Sequence, residues 1–284
     1  MFALAPASSA NLGPGFDTIA VALELYVEVS IEMADSFRIT SEGFGAGDFD
    51  NEQHLGAVVA ADVLGHWNFS IHVNSAIPLS RGLGSSAARA LAAAAAAGAS
   101  RDEALVVATR VDGHAENAAA SLLGGLVVAS VHERDGIIAR PMPLDSAWQF
   151  VVVVPAEELA TADARRVLPA TIAHADAVHN LNSFGLLLAG LADHRAFASS
   201  AMDDYLHQPY RMELLPFAQP LLDELRRAGC AGSCWSGAGS TMLGLTTAER
   251  AEEVVRTVRE FLDRRSIAAT VGALSADRTG LVVR

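Results

Sequence analysis

The residues best equipped for chemistry lie in one stretch, Pro78-Leu79-Ser80-Arg81-Gly82-Leu83-Gly84-Ser85-Ser86-Ala87-Ala88. Gly82 and Gly84 carry no Cβ, so the backbone there can turn tightly and approach a ligand closely. Ser85 and Ser86 fall where an alanine-rich helix (residues 87–97) should begin, and read as N-cap hydroxyls beside unpaired N–H groups. Free amides and the positive end of a helix dipole together make such a start an anion site. A plain serine-capped turn has the same local sequence, so the rest of the chain decides between the two. One absence narrows the choice. All 20 lysine-plus-arginine positions are arginine, which removes the GxxxxGK[ST] phosphate loop, the strand lysine of protein kinases and every Schiff-base mechanism. A phosphate bound here must be held by amides, hydroxyls, arginine and metal.

A second concentration of polar groups is Asp112, His114, Glu116 and Asn117, within six residues. It reads equally as a solvated turn between helices or as a site. A carboxylate beside a bound phosphate can hold Mg²⁺, a hard ion that takes oxygen ligands, but the spacing does not choose which carboxylate. Asn11 and Asp17 sit in the glycine-rich stretch Ala7-Ser8-Ser9-Ala10-Asn11-Leu12-Gly13-Pro14-Gly15-Phe16-Asp17, too rich in turn residues for a regular element. At the end of a sheet such a loop is a ligand surface. Arg165, Arg166 and Arg211 stand in stretches read as loops. The rigid guanidinium fork suits a carboxylate or a phosphate.

These groups need elements to position them. A short strand precedes residue 7, and alternation predicts a long strand over 19–31, then strands at 37–40 and 70–73. Helices are expected over 51–64, 87–97 and 101–111, the last capped by Ser100, followed by a strand at 126–131. A continuous apolar run at 149–154 is a central strand, and the domain boundary is placed there, giving 1–150 and 151–284. The second half reads as helices over 171–191, 195–202 and 216–228, strands at 232–236 and 241–245, an amphipathic helix over 248–263 and closing strands at 267–274 and 280–283. The class is α+β, with helices on one face of a mostly antiparallel sheet in the second half. A hydrophobic content of 51% supports compact cores, and a net charge of −13 makes nucleic acid and anionic membrane poor partners. The start lacks the pattern of a signal peptide, and the run 90–99 is too short to span a bilayer. Cys230 and Cys234 have no metal-ligand spacing and read as reduced core thiols of a cytoplasmic protein.

Three segments taken together, 6–17, 78–88 and 232–245, resemble the GHMP small-molecule kinase superfamily in order and spacing. The first motif, Gly113-His114-Ala115-Glu116-Asn117 with 121–125, Ala164-Arg165 before Leu168-Pro169, and 207–211 resemble its homoserine kinase branch. The resemblance covers essentially the whole chain. It implies a two-domain fold, with an N-terminal ATP-binding domain like ribosomal protein S5 domain 2 and a C-terminal ferredoxin-like α/β sandwich. It further implies transfer of the ATP γ-phosphoryl group to the hydroxyl of L-homoserine, a step in threonine biosynthesis, and allows a homodimer. Carried over residue by residue, Pro78, Ser80, Arg81, Gly82, Leu83, Gly84, Ser85, Ser86 and Ala87 wrap the triphosphate, and Asn51 lies near the adenine. Ser85, Ser86 and Asp112 help hold Mg²⁺. Asn11, Asp17, His114 and Glu116 hold the ammonium and hydroxyl end of the amino acid, with Asp17 orienting first and accepting a proton second. Arg165 and Arg211 clamp its carboxylate, and Gly237 lies near phosphates and substrate. The chain departs from the family pattern in having Glu116 where aspartate is usual, Asp112 where glutamate is usual and Ser240 where proline is usual.

Overall fold

The computed structural model describes residues 1–48 and 50–284. The chain enters on β1 (Phe2–Ala10) and returns antiparallel as β2 (Ile19–Met33), with Ala10 opposite Ala20 across the 11–18 loop. β3 (Arg38–Gly43) follows, then α1 (Leu55–Leu64) and β4 (Phe69–Ser75), which pairs with β2 antiparallel and with β3 in parallel. α2 (Ser85–Ala96), α3 (Arg101–Asp112) and α4 (Ala115–Leu123) come next, before the hairpin of β5 (Leu126–His132) and β6 (Gly136–Met142). Alanine explains the layering. α2 is buried along nearly its whole length, and apart from Arg89 and Leu91 its buried side chains are methyls, which lets it lie closely against β1 and β2. A helix that is mostly apolar all round is stable where it is enclosed.

The second half starts with β7 (Trp148–Pro155), α5 (Thr161–Arg166) and α6 (His174–Ala192), followed by two 3₁₀ turns and the short α7 (Gln208–Arg211). α8 (Ala218–Ala228), the hairpin β8 (Gly232–Trp235) and β9 (Met242–Thr247), α9 (Ala248–Arg265), β10 (Ala269–Leu274) and β11 (Val282–Val283) complete the chain. Its sheet runs β10-β7-β9-β8, antiparallel throughout. The unbroken apolar run of β7 has a simple cause. Val151 and Val153 face the core under α8 and α9, whereas Phe150 and Val152 face the larger core shared with the first sheet and with Leu187 and Leu191 of α6. Period-two alternation is hidden when both faces are covered.

Several expectations shift. α1 begins at Leu55 rather than at residue 51, because His54 is its cap, with Nδ1 accepting from Gly56 N at 3.1 Å. Segment 195–202 forms 3₁₀ turns instead of one helix, and 161–166 is helical where a loop was read. The β6 strand had no prediction. The last strand joins the other sheet: β11 pairs with β1, and Ala276 bridges Leu23. The chain thus leaves the first sheet between β6 and β7 and re-enters it after β10, whereas residue 150 falls inside β7.

That return is fastened by Asp277, which is 5% exposed. Its carboxylate accepts from Tyr26 Oη (3.0 Å), Thr279 N (3.0 Å) and Gly280 N (2.6 Å), and its backbone bonds Ala22 and Gly125. Burial, and then the charge of Asp277, push the Tyr26 hydroxyl up to about 12, so it remains a donor at all working pH. Asp277→Ala leaves a buried hydroxyl and two amides without an acceptor. A loss of about 3 kcal/mol is expected, read as a fall in Tm on the order of 10 °C by thermal denaturation. Tyr26→Phe, which removes one bond, should cost about 1 kcal/mol.

Candidate active site

Three loops far apart in sequence meet at the start of α2. Gly84, not a serine, is the cap residue (φ 65°), and Ser85 and Ser86 are the first residues inside the helix, with no side chain capping it. The reason is steric. Gly82 (φ 73°) and Gly84 arrive in the left-handed region, and a Cβ on them would lie 2.1 Å from Ser236 O and 2.1 Å from Ser8 Oγ respectively. Only glycine fits such approaches. The helix-start amides are therefore left for something else. Backbone bonds pin the loops together: Ser8 N to Leu83 O (3.1 Å), Thr241 N to Arg81 O (3.1 Å) and Gly237 N to Ala10 O (3.0 Å). Ser236 Oγ lies 2.6 Å from Gly82 O and 2.8 Å from Ser9 Oγ. With one proton to give, it donates to the carbonyl and accepts from Ser9.

A cavity of about 160 Å³ opens at this junction, and it gathers most of the expected residues: Asn11, Asp17, Ser80, Arg81, Gly82, Gly84, Ser85, Ser86, Asp112, His114, Glu116, Arg165, Arg211 and Gly237. Leu83 and Ala87 are buried and do not line it. The Arg81 guanidinium is spent on structure, donating to Pro155 O, Leu79 O and Ala156 O and pairing with Glu158 at 3.1 Å. Pro78 lines a neighbouring cavity of about 480 Å³ together with Phe44, Leu79, Val154 and Ala268. Asn51 joins neither. It is exposed in the turn before α1, accepts from Gln53 N at 2.7 Å and borders a shallow groove over β3.

The cavity is bipolar. Asp17, Asp112 and Glu116 bring carboxylates to it, and Arg165 and Arg211 bring guanidiniums. Burial pushes Asp112 up, opposed by the amide of Asn117, whose Nδ2 donates to it at 3.0 Å while Ser8 Oγ donates to Asn117 Oδ1 at 2.9 Å. Burial also pushes Glu116 up to about 7, with Asp17 and Asp112 adding repulsion. Arg165 Nη2 meets Asp17 Oδ1 at 2.5 Å, yet its Nε is buried without a partner among the described residues. Arg211 is 1% exposed; its Nε donates to Ala164 O and its Nη1 to Gly237 O, both at 3.1 Å. Burial, and then Arg165, hold Arg211 down at about 10, still charged at neutral pH. Asn11 Nδ2 shares that same carbonyl (2.8 Å) and Asn11 Oδ1 accepts from Asp17 N (3.0 Å), so its side chain pins the first loop to the third. Both guanidiniums lie over the Phe16 ring, 5.3 and 5.4 Å from its centre.

Sequence reasoning missed four contributors. Asn117 was seen in the acidic cluster without a role. Thr161 lines the cavity from one turn before Arg165, a same-face spacing visible once 161–166 is read as helix. Ser236 and Phe16 carried no signal of their own. The oxygen-only donors Ser85, Ser86 and Asp112, with Asp112 raised by burial and the nearby Glu116 by burial and carboxylate repulsion, fit a hard divalent cation. Asp145, Asp193 and His194 also bring ligand atoms within 4.8 Å of one another, but away from this cavity. Asp145 there accepts from Ala147 N and from His194 N and Nδ1, and Asp193 pairs with Arg195, so those groups cap turns.

Glu116 gives a pH test. Below about 4.5, its ordinary value, folded and unfolded chains both hold the proton; between there and about 7 only the unfolded chain ionises, so stability falls as pH rises and levels off above 7. The loss is about 3 kcal/mol by linkage. Urea denaturation from pH 5 to 8 should show this decline in the ligand-free protein, and Glu116→Gln should make it shallower, the buried Asp112 keeping a share of it. An unchanged profile in the variant would contradict the assignment.

Comparison with known proteins identifies the family. The GHMP kinases N terminal domain family matches residues 54–125, and the GHMP kinases C terminal family matches 177–264. The chain is 35% identical to a homoserine kinase of Caldanaerobacter subterraneus subsp. tengcongensis, covering 99% of this chain and 94% of that one. It is 36% identical to a homoserine kinase of Desulfitobacterium hafniense, covering 98% of each. A crystal structure of homoserine kinase from Cytophaga hutchinsonii superposes with a TM-score of 0.84 at 27% identity, covering 100% of this chain and 97% of that one. With relatives this similar along their full lengths, the chain belongs to the homoserine kinase family of the GHMP kinases.

Proposed function

We propose that the chain transfers the γ-phosphoryl group of ATP to the side-chain hydroxyl of L-homoserine, giving O-phospho-L-homoserine and ADP for threonine biosynthesis. The observation that carries this reading is the bipolar cavity beside an uncapped helix start. A zwitterionic amino acid needs carboxylates for its ammonium and a planar cation for its carboxylate, and both occur within one small space. The glycine loop and the α2 amides take the triphosphate. The adjoining apolar cavity around Phe44, Pro78 and Leu79 takes the adenine.

In the reaction the substrate oxygen forms a bond to the γ-phosphorus as the bond to the β–γ bridging oxygen breaks, and the hydroxyl proton departs. Such a transfer asks for alignment and charge neutralisation more than for covalent help. Asp17, already engaged by Arg165, orients the substrate first and takes the proton second. Arg165 and Arg211, which both line the cavity, hold the carboxylate. Ser85, Ser86 and Asp112 are the residues that would hold Mg²⁺, whose charge offsets that of the triphosphate when bound. A cytoplasmic setting suits two buried free thiols, Cys230 (pushed by burial up to about 12) and Cys234, and no helix among the described residues is long and apolar enough to cross a membrane.

The test is ATP-dependent phosphorylation of homoserine, mevalonate and galactose under saturating Mg²⁺. Turnover of homoserine alone is expected. Activity on either other alcohol with none on homoserine would assign a different kinase, and ATP binding with no turnover would make the chain a nucleotide-binding regulator. Arg211→Ala should raise KM for homoserine by about 10–100-fold, the scale of a lost charged hydrogen bond, with KM for ATP changed little. Equal effects on both substrates would remove Arg211 from the clamp.

A further inference from the structure

His207 is fully buried three residues beyond Asp204, and the phosphoryl-transfer scheme leaves it without a task. Its Nδ1 lies 3.0 Å from Arg211 Nη1, and its Nε2 lies 2.8 Å from Gly13 O and 3.2 Å from Asp204 Oδ2. The hydrogen positions follow from the partners. A guanidinium has no acceptor, so Nδ1 must accept, and the ring proton must sit on Nε2, where it meets the carbonyl of Gly13. A second proton, on Nδ1, would point at a guanidinium N–H. Burial, and then the charge of Arg211, hold His207 down at about 4, opposed by the carboxylates of Asp204 and Asp17. The ring is neutral at working pH.

The neighbours leave the ring little freedom. It stacks on Phe16, centres 5.0 Å apart and planes inclined by 22°. Asp204 accepts from the backbone of Leu206, His207 and Gln208, which fixes the turn that leads into α7. Arg211 is thereby held at Nε by Ala164 and at Nη1 by Gly237 and His207, which leaves Nη2 of a cavity-lining side chain as its remaining donor group. The imidazole bridges two things that the substrate must also bridge: the loop carrying Asn11 and Asp17, through Gly13, and the arginine opposite.

We infer that His207, as its neutral Nε2–H tautomer, is a positioning residue that sets the separation between the 11–17 loop and Arg211, and so the chain length of amino acid the cavity accepts. This inference rests on the amino-acid reading of the cavity. It adds a rigid spacer, two hydrogen bonds across one aromatic ring, to a site whose charged ends alone would tolerate several lengths. Glutamine can keep both bonds, with Oε1 accepting from Arg211 and Nε2 donating to Gly13. Asparagine is too short to make both, and leucine makes neither.

The experiment measures KM and kcat for ATP, L-homoserine, L-serine and the homologue one methylene longer than homoserine, in the full chain and in His207→Gln, His207→Asn and His207→Leu. Wild-type turnover of homoserine decides the substrate reading on its own. Given that turnover, His207→Leu and His207→Asn should raise KM for homoserine by about 10–100-fold, the range for buried partners left unpaired. KM for ATP should stay within about twofold, and the preference for homoserine over its shorter and longer homologues should shrink. His207→Gln should stay within about threefold of wild type on every count. If the leucine variant does not fold, the glutamine and asparagine pair carries the comparison. Glutamine as impaired as asparagine, equal changes in both KM values, or unaltered length preference would overturn the inference.

Discussion

Everything at this site depends on three loops touching through backbone. Gly82 passes so close to Ser236 that a single added carbon would sit 2.1 Å from its carbonyl oxygen. The Ser236 hydroxyl then closes the contact by bonding Gly82 O and Ser9 Oγ at once. The glycine loop, the Asn11 loop and the turn after β8 are locked into one another before any ligand arrives. Residues more than 200 positions apart, such as Asn11 and Gly237, are joined by a 2.8 Å bond. Pre-formed geometry of this kind is what a phosphoryl transfer most needs, because aligned groups give up no freedom during the reaction.

The electrostatics follow from that enclosure. A chain of net charge −13 with no lysine must create local positive potential from arginine, amides and a helix dipole. It does so by stationing Arg165 and Arg211 over the Phe16 ring, where burial and then the charge of Arg165 lower Arg211, offset by Asp17 and Asp204. On the facing wall, Asp112 is raised by burial, and Glu116 by burial and then by the charges of Asp17 and Asp112. Both walls are better balanced with a zwitterion and a cation between them than without.

Most of the site was legible from sequence because its chemistry is carried by residue types in short local patterns. Gly82-Leu83-Gly84-Ser85-Ser86 announces an anion-binding helix start wherever it folds, and Asp112, Glu116, Arg165 and Arg211 were marked by charge in a chain with few other candidates. What escaped notice was decided by contact across the fold. Gly84 displaced the serines from the cap position because Ser8 leaves no room for a Cβ. Arg81 looked like a phosphate ligand but reaches the end of β7 and the residue after it instead. β11 joined the first sheet because Asp277 fastens the 275–284 segment there, a bond pattern invisible in a two-residue strand. Phe16, Ser236 and His207 lie inside motif segments, but their individual roles come only from the groups they separate.

The central claim is that one cavity reads both charged ends of an amino acid while presenting its hydroxyl to ATP. It is tested most directly by comparing kcat/KM for L-homoserine with that for 4-hydroxybutanoate, which lacks the ammonium, and 3-aminopropan-1-ol, which lacks the carboxylate. Each missing end should cost at least about tenfold, the scale of one charged hydrogen bond. Either analogue phosphorylated as efficiently as homoserine would contradict the bipolar site.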